Sequence, residues 1–400
     1  MNWPTDELES LRARHLLRRL RSTEGTEPRT VLNGQTVLLL CSNNYLGLAN
    51  HPALAEAARS ALERYGTSAS GSRLVSGSLA LHGQLEKRVA EWMGTEAALV
   101  FNSGYQANVG AIPALAREGD LILSDALNHA SLIDGCRLSR AQIRVFRHAD
   151  PQHLESLLAE NSTAGRTGKN IIVTESVFSV DGDLAPLTEI ASLARRFDAL
   201  LIVDEAHAVG VFGPAGAGRV EELQLEVAVD IRIGTFSKAL GSFGAFVAGR
   251  RDLIEYLVNR ARSFIYSTAL PPATLGASLA AVQVIQREPE RRKSLWENVG
   301  FLREGLKDQG WSLLSEASQI IPVLIGEARE TMEVSDELLA RGVFTQGLRE
   351  PTVAPGTSRL RLTPMATHNR EDLTQALAAF DEVSTARRNR GWTPVSATTS

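Results

Sequence analysis

The sequence is poor in cysteine and in long apolar runs, and each shortage excludes a class of protein. Two cysteines among 400 residues are too few for a disulfide scaffold or a cysteine-built metal site. No apolar stretch approaches the ~20 residues that cross a bilayer. The eight histidines include no His-Glu-x-x-His pair of the zinc-hydrolase type. We therefore expect neither a membrane span nor a bound metal.

An excess of charge of one sign is also missing. Lysine and arginine number 42 and aspartate and glutamate 46, so the net charge is −4 and no nucleic-acid partner is expected. The N-terminus carries five arginines between Arg12 and Arg21, as a transit peptide would. Three acidic residues among the first nine argue against that interpretation, because transit peptides are poor in acid. With no apolar signal segment either, a cytoplasmic location is predicted.

Short apolar runs alternate with stretches of helical periodicity over the first 260 residues. Runs at 97–101, 121–123, 171–173 and 199–203 are almost wholly apolar, which is typical of strands that are buried on both faces. Strands separated by helices in this way form a mostly parallel sheet. We predict an α/β fold whose sheet is flanked by helices.

The pattern changes near residue 289, where a charged stretch is followed by a helical segment and the apolar run 320–325. This change indicates a second, smaller α+β domain. The predicted organisation is an N-terminal helix and strand segment at 1–50, a large α/β domain at 51–288, a small C-terminal α+β domain at 289–385 and a disordered tail at 386–400.

Two strand ends carry the most informative residues. The run 199–203 ends in Asp204, and the strand 231–235 is followed by Lys238 among glycines and hydroxyl residues. Ligands of parallel sheets bind at the carboxyl ends of the strands. Pyridoxal phosphate needs a lysine amine that captures its aldehyde and an acid that pairs with its pyridinium nitrogen. These residues therefore predict a pyridoxal phosphate enzyme, although a lone lysine after a strand is more often a surface residue.

The run Asp-Glu-Ala-His at 204–207 also fits a nucleotide hydrolase. That interpretation requires a phosphate loop of the form G-x-x-x-x-G-K-[ST] upstream. The nearest candidate, Gly168-Lys169-Asn170, lacks the first glycine and the final hydroxyl, and it precedes a strand instead of following one. These residues therefore argue against a nucleotide hydrolase.

Gly104 and Tyr105 follow the strand 97–101 and open a predicted helix. The free amides of a helix N-terminus bind anions, so both residues are candidate phosphate ligands. The alternative is an ordinary strand-to-helix turn that is capped by Ser103. The local sequence favours neither.

Two more segments follow strands and reach the same predicted sheet edge. His129 lies where an imidazole would stack on a cofactor ring, or it belongs to a helix-capping cluster. Ser179 points toward the same edge, although the neighbouring Asp181-Gly182 is a turn signal.

In the last domain Arg359 and Arg361 alternate on one face of a strand. A guanidinium there would hold a substrate carboxylate, or the strand would be a solvated edge.

A series of segments in this order resembles the α-oxoamine synthases, which are fold-type I pyridoxal phosphate transferases. The resemblance runs from about residue 10 to 380, and its motifs lie at 42–48, 76–77, 102–105, 128–131, 204–207, 235–238 and 266–268. It implies a decarboxylative condensation of an amino acid with an acyl thioester. Segments 66–77 and 127–135 are most similar to the branch that joins L-alanine to a pimeloyl thioester in biotin biosynthesis. Relatives that use glycine or serine with other acyl groups remain alternatives.

The resemblance implies roles for individual residues. Lys238 would link the cofactor and act as the base, Asp204 would pair with the ring nitrogen, and His129 would stack on the ring. Other residues would contact the cofactor or its phosphate: Gly104, Tyr105, Ser179, His207 and Thr235. Ser267 and Thr268 would reach the phosphate in a neighbouring subunit, which implies a homodimer with shared sites.

The substrates would be held by a second set of residues. Arg361 and Asn43 would bind the carboxylate of the amino acid, and Thr352 would line the site of the acyl thioester. An N-terminal arginine belongs with it: Arg18 fits best, and Arg19 and Arg21 remain open. The acyl carrier would be coenzyme A or a carrier protein.

Overall fold

The computed structural model describes residues 2–163, 168–393 and 395. Two compact units divide the chain. The larger unit comprises residues 48–178 and 184–289, and the smaller unit comprises the residues up to 47, the segment 179–183 and the residues from 290 onward. Both ends of the chain thus build the smaller unit, whereas the sequence suggested a separate N-terminal segment.

The strands are, in chain order, β1 (Arg29–Leu32), β2 (Gln35–Leu39), β3 (Ala97–Phe101), β4 (Leu121–Asp125), β5 (Gln142–Phe146), β6 (Asn170–Glu175), β7 (Ala199–Asp204), β8 (Ile231–Thr235), β9 (Ala245–Gly249), β10 (Ile321–Gly326), β11 (Val343–Phe344), β12 (Gln346–Leu348) and β13 (Ser358–Leu362).

The α-helices are α1 (Trp3–Ala13), α2 (Pro52–Tyr65), α3 (Ala80–Met93), α4 (Gly104–Leu115), α5 (Ala130–Leu138), α6 (Pro151–Thr163), α7 (Leu187–Arg196), α8 (Arg219–Glu222), α9 (Arg251–Arg260), α10 (Arg262–Ile265), α11 (Pro272–Arg287), α12 (Glu290–Asp308), α13 (Ala328–Ala340) and α14 (Arg370–Arg388), and a 3₁₀ turn spans Leu48–Asn50. In the part of the chain that the structure describes, no helix combines the length and the apolarity that crossing a bilayer requires.

The larger unit is organised around a seven-stranded sheet in the order β3-β9-β8-β7-β6-β4-β5. Strand β9 is antiparallel to both of its neighbours, and the other pairs are parallel. The predicted α/β fold with a mostly parallel sheet is therefore confirmed.

Helices cover both faces of this sheet because its strands are apolar on both sides. In β6, Ile171 and Val173 belong to one core cluster and Ile172 to another, and in β7 Ile202 and Leu201 divide in the same way. Successive side chains of a strand point to opposite faces, so the two clusters are the two sides of one sheet. Each fully buried side chain of this size contributes about 1.5–3 kcal/mol.

The parallel strands of the larger unit bring polar residues to one edge. Strands β4, β6, β7 and β8 end in Asp125, Glu175, Asp204 and Thr235, respectively, and all four side chains are buried. Glu175 and Asp204 are direct partners in the register of β6 and β7. This carboxyl edge therefore concentrates titratable groups where parallel sheets bind their ligands.

The smaller unit contains two three-stranded sheets, ordered β1-β2-β11 and β10-β13-β12. Strand β13 lies in the middle of its sheet and pairs with antiparallel neighbours on both sides. The alternative that residues 359–363 form a solvated edge strand is therefore wrong.

The last helix extends past the boundary expected from the sequence. Residues 386–388 belong to α14, where the sequence predicted the start of a disordered tail. Arg387 explains the difference, because its side chain is buried and forms ion pairs with Glu333 and Glu337 of α13. Of that tail, residues 394 and 396–400 lie outside the described residues.

Candidate active site

Lys238 lies on a tight turn that follows β8. Its Nζ atom is 2.9 Å from Nε2 of His207, so the structure brings together two residues that the sequence predicted separately. The turn needs a glycine at 241, where φ is +62° and a Cβ would lie 2.4 Å from the amide nitrogen of Ala49. The backbone thus aims a half-buried amine at an imidazole.

Asp204 ends β7 and is held by two donors. Its Oδ1 accepts from the amide of Ala206 at 2.9 Å, and its Oδ2 accepts from Nδ2 of Asn108 at 2.8 Å. Asn108 lies on α4, is 1% exposed and also donates to Oγ of Ser131 at 2.8 Å. Sequence reasoning missed Asn108, and the available signal was a single amide inside an otherwise apolar helix.

His129 caps helix α5, so the helix-capping interpretation is confirmed. Its Nδ1 accepts from the amide of Ser131 at 3.3 Å and lies 2.8 Å from the Oγ of the same serine. Although part of the residue is exposed, desolvation by the surrounding protein lowers the pKa of the ring, against the opposing charge of Asp204. Stacking on a cofactor ring is compatible with this cap and stays a prediction.

Glu175 is a second group that the sequence analysis did not single out. It ends β6 beside Asp204 and accepts from the amide of His129 at 2.6 Å. Burial, followed by the nearby charge of Asp204, raises its pKa well above the usual range. A neighbouring carboxylate and burial both disfavour the charged form of a carboxyl group, so the surroundings of Glu175 favour its neutral form.

Helix α4 begins at Gly104, as expected for either interpretation of this turn. Ser103 caps it, since its Oγ accepts from the amide of Gln106 at 3.2 Å. The first amides of a helix have no partner within it, and a Cβ built on Gly104 would meet no atom within 4 Å. Tyr105 bonds through its hydroxyl to Asp134. The N-terminus of α4 thus offers free donors and open space to an anion.

Three further residues of the larger unit are predicted to contact a cofactor: Thr235, Ser267 and Thr268. The hydroxyl of Thr235 donates to the carbonyl of Gly244 at 2.9 Å, so the proton of this hydroxyl is already hydrogen-bonded within the protein. Ser267 and Thr268 follow α10, and the carbonyl of Thr268 accepts from Nδ2 of Asn102 at 2.7 Å. A role at a neighbouring subunit's phosphate stays a prediction for this pair.

In the smaller unit, Arg361 is hydrogen-bonded to Asn43, the other residue that is predicted to bind the carboxylate of the amino acid. It donates to Oδ1 of Asn43 at 3.1 Å, to the hydroxyl of Tyr45 at 3.2 Å and to the main-chain carbonyl of Ser179 at 2.7 Å. Ser179 therefore takes part through its backbone. Tyr45, which sequence reasoning missed, is fully buried, and burial raises its pKa despite the charge of Arg361.

A cavity of about 680 Å³ in the smaller unit brings Arg18 and Thr352 together. Arg19 and Arg21 line it as well, so the choice among the three N-terminal arginines stays open. Its charged lining residues are Arg12, Arg18, Arg19, Arg21, Arg349 and Asp336. Five guanidinium groups against one carboxylate make this cavity suited to an anionic ligand.

The donor set of the larger unit fits pyridoxal phosphate. An amine, an imidazole and a buried carboxylate lie at the carboxyl edge, and a helix N-terminus provides amides for a phosphate. The amide oxygen of Asn108 is buried without a hydrogen-bond partner in the described part of the chain. The nitrogen of that amide donates to Asp204 and to Ser131. Among the described residues, no group of three or more His, Cys, Asp or Glu side chains is arranged to hold a metal.

Comparison with known proteins agrees with these groups. The family described as aminotransferase class I and II matches residues 35–380. The 8-amino-7-oxononanoate synthase of Geobacter metallireducens is 54% identical over 376 residues, which cover 93% of this chain and 95% of the relative. That of Geobacter sulfurreducens is 50% identical over 380 residues, which cover 94% and 96%.

A solved structure shows the same fold. Serine palmitoyltransferase from S. paucimobilis with a bound PLP–myriocin aldimine superposes with a TM-score of 0.91 at 31% identity, covering 96% of this chain and 97% of that one. The resemblance drawn from the motifs is thus confirmed over nearly the whole length. The chain belongs to the aminotransferase class I and II family, on its 8-amino-7-oxononanoate synthase branch.

Proposed function

We propose that this protein condenses L-alanine with a pimeloyl thioester, giving 8-amino-7-oxononanoate, carbon dioxide and a free thiol for biotin biosynthesis. The observation that carries the proposal is the Lys238 amine at 2.9 Å from His207, on the carboxyl edge that Asp204 shares. Relatives with this activity in their names are about half identical to the chain over nearly its full length.

The cofactor would be held by residues of the larger unit. Lys238 would link it covalently, Asp204 would pair with its ring nitrogen and His207 with its phenolic oxygen. The amides of Gly104 and Tyr105 would receive its phosphate. When bound, pyridoxal phosphate supplies an electron sink for negative charge at the α-carbon of the amino acid.

The protein's own residues then move protons and orient the substrates. Lys238 takes the α-proton of alanine, and that carbon attacks the thioester carbonyl and expels the thiol. After the carboxylate of alanine leaves as carbon dioxide, Lys238 returns a proton to the same carbon. His129, whose pKa is lowered, donates from its neutral ring to the carbonyl oxygen that gains charge during this attack. A preorganised donor of this kind usually makes the largest single contribution to the rate.

Residues of the smaller unit would select the substrates. Arg361, with Asn43, would bind the carboxylate of alanine, and the arginine-rich cavity with Thr352 would receive the acyl thioester. The thiol carrier would be coenzyme A or an acyl carrier protein, both of which carry negative charge. We also propose a cytoplasmic homodimer in which Ser267 and Thr268 complete the phosphate site of the other subunit.

Thiol release with a panel of substrates tests the proposal. L-alanine, glycine and L-serine are each combined with pimeloyl, acetyl, succinyl and palmitoyl thioesters. We expect the pair of alanine and pimeloyl thioester to give the highest kcat/KM. A preference for glycine or serine would assign the chain to another α-oxoamine synthase reaction. Borohydride reduction and peptide mapping should place a pyridoxyl group on Lys238.

A further inference from the structure

Asn108 is a deeply buried polar residue beside the candidate site, and the proposed reaction gives it no role. It is 1% exposed and lies in the second turn of α4, among alanines and isoleucine that pack in the core. Burying an amide is unfavourable unless its hydrogen bonds are formed. Both of its N–H groups are bonded, to Asp204 and Ser131, whereas its oxygen has no partner among the described residues.

The orientation of this amide follows from its neighbours. A carboxylate oxygen of Asp204 lies 2.8 Å away and accepts only, so it requires the nitrogen of the amide on that side. The same nitrogen then faces Oγ of Ser131 at 2.8 Å. The hydroxyl oxygen of Ser131 is thereby an acceptor, and its proton is available to another group.

That proton has an acceptor in Nδ1 of His129, which lies 2.8 Å from the hydroxyl oxygen. The amide of Ser131 also donates to the same Nδ1, so this nitrogen carries a lone pair and no proton. In the neutral ring the proton therefore resides on Nε2. Asp204, Asn108, Ser131 and His129 form a continuous chain in which every hydrogen bond has one donor and one acceptor.

Glu175 is hydrogen-bonded to the backbone of His129. Its carboxyl oxygen accepts from the main-chain amide at 2.6 Å, which fixes the backbone from which the ring projects. The titratable and charged groups that face the ring are Asp204, Lys238 and Asp134. The position and the tautomer of the imidazole are thus set by side chains from α4, α5 and β6.

We propose that Asn108 and Ser131 are positioning residues that hold His129 in its Nε2–H tautomer and tie that ring to Asp204. The inference rests on the proposed function, in which His129 faces the cofactor and donates to the substrate oxygen. An imidazole held in the other tautomer would present a lone pair to an oxygen that gains negative charge. Its ability to assist the reaction would be lost without any change in substrate affinity.

Nitrogen-15 spectra of the holoenzyme labelled at histidine test the tautomer directly. The variant His129→Gln identifies the signal by its loss. We expect a neutral ring with its proton on Nε2 in the wild type, and the same in Ser131→Thr, which keeps the hydroxyl. In Ser131→Ala only the longer bond from the backbone amide, at 3.3 Å, still opposes a proton on Nδ1. The Nδ1–H tautomer should therefore appear beside the other, and kcat should fall about tenfold, as expected for one lost hydrogen bond, with the KM for alanine little changed.

The effects on kcat of removing the hydrogen bonds of Asn108 and of Ser131 should not be additive. The double variant Asn108→Ala, Ser131→Ala should lose little more kcat than the more severe single variant, since either break disconnects His129 from Asp204. Thermal unfolding of each variant separates this effect from a loss of stability. Should Ser131→Ala fail to fold, the wild-type spectrum still decides, because a proton on Nδ1 would overturn the inference.

Two further results would also overturn it: strictly additive losses, or a Ser131→Ala enzyme with the wild-type tautomer and kcat. These outcomes are distinct from failure of the proposed function. That failure would show as absence of a pyridoxyl adduct on Lys238 or of thiol release by the wild type, whereas the tautomer is read without turnover.

Discussion

The polar groups of the larger unit are bonded to one another, whereas the arginines that line the cavity of the smaller unit carry charge that the protein leaves largely unbalanced. Asp204 receives two hydrogen bonds, and Asn108 and Ser131 continue them to His129. Each of these groups is oriented before any ligand arrives. Such preorganisation favours chemistry, because no reorganisation is needed when charge develops.

In the cavity the balance is different. Arg21 pairs with Asp336 at 3.0 Å, but within the described residues neither Arg18 nor Arg19 has an ion-pair partner. Burial, together with the charge of Arg18, lowers the pKa of Arg349, which shows how crowded with positive charge the cavity is. A ligand must supply the missing negative charge, so these residues favour binding.

This contrast predicts different kinetic effects for substitutions in the two units. Changes in the larger unit should alter kcat, the bound cofactor or stability. Changes in the smaller unit should alter KM and its dependence on salt. The expected effects below decrease from a loss of activity to a change in salt sensitivity.

Replacing Lys238 with alanine should have the largest effect. Loss of both the covalent anchor and the base should reduce thiol release by at least about 10³-fold, since a positioned base alone contributes 10²–10⁴. The absorption band of the covalently bound cofactor should disappear as well. Lys87→Ala is a suitable control, because Lys87 is an exposed residue of α3. Substantial turnover by Lys238→Ala would contradict the expectation that residues of the larger unit determine kcat.

Glu205→Gln should be the most destabilising of these substitutions. Glu205 and Arg232 are both completely buried and form an ion pair at 2.9 Å, while Glu205 also accepts from the amides of Arg219 and Val220. Removing one charge of such a pair leaves the other buried and unpaired, at a cost of about 3–5 kcal/mol. Urea unfolding measures this loss. Glu91→Gln, in the exposed pair Lys87–Glu91, should cost less than about 1 kcal/mol, and equal losses would contradict the expectation.

Arg361→Ala sharpens the contrast from the other side. The KM for alanine should rise about 10- to 100-fold, because hydrogen bonds to a charged group contribute ~1.5–3 kcal/mol, while kcat changes less. Arg361→Lys should recover only part of this affinity, since an ammonium lacks the planar fork of donors. Arg359→Lys provides the matched control on the same strand, where the guanidinium pairs with Asp181. An unchanged KM in Arg361→Ala would remove Arg361 from the carboxylate site.

The residues that could be predicted from sequence are those whose chemistry is visible locally. Apolar runs marked the strands, and the ends of two of them marked Asp204 and Lys238. Asn108 could not be found in this way, because a buried asparagine in an apolar helix gives no indication of which groups it bonds.

Contacts between distant parts of the chain were equally hidden. Strand β2 pairs in parallel with β11, joining Leu38 to Val343, and no local pattern reveals a pairing across three hundred residues. The same holds for the backbone contact of Ser179, whose predicted contact with the cofactor stays a prediction. Its carbonyl binds Arg361, and backbone contacts of this kind leave no trace in residue type.

Substitution of the N-terminal arginines should produce the smallest effects and also decide which of them binds the thioester. Arg18→Gln and Arg19→Gln remove charges without an ion-pair partner in the described part of the chain, whereas Arg21→Gln also releases Asp336. We expect the KM for the thioester to rise only a few-fold, and its increase with salt to be weakest in the variant that lacks the true ligand, because screening acts on that contact. Measurements with a pimeloyl thioester at several ionic strengths compare the three. Identical salt dependence in all three variants and the wild type would mean that the positive cavity attracts no phosphate or carboxylate of the donor, and the contrast between the two units would then be one of structure without a counterpart in binding.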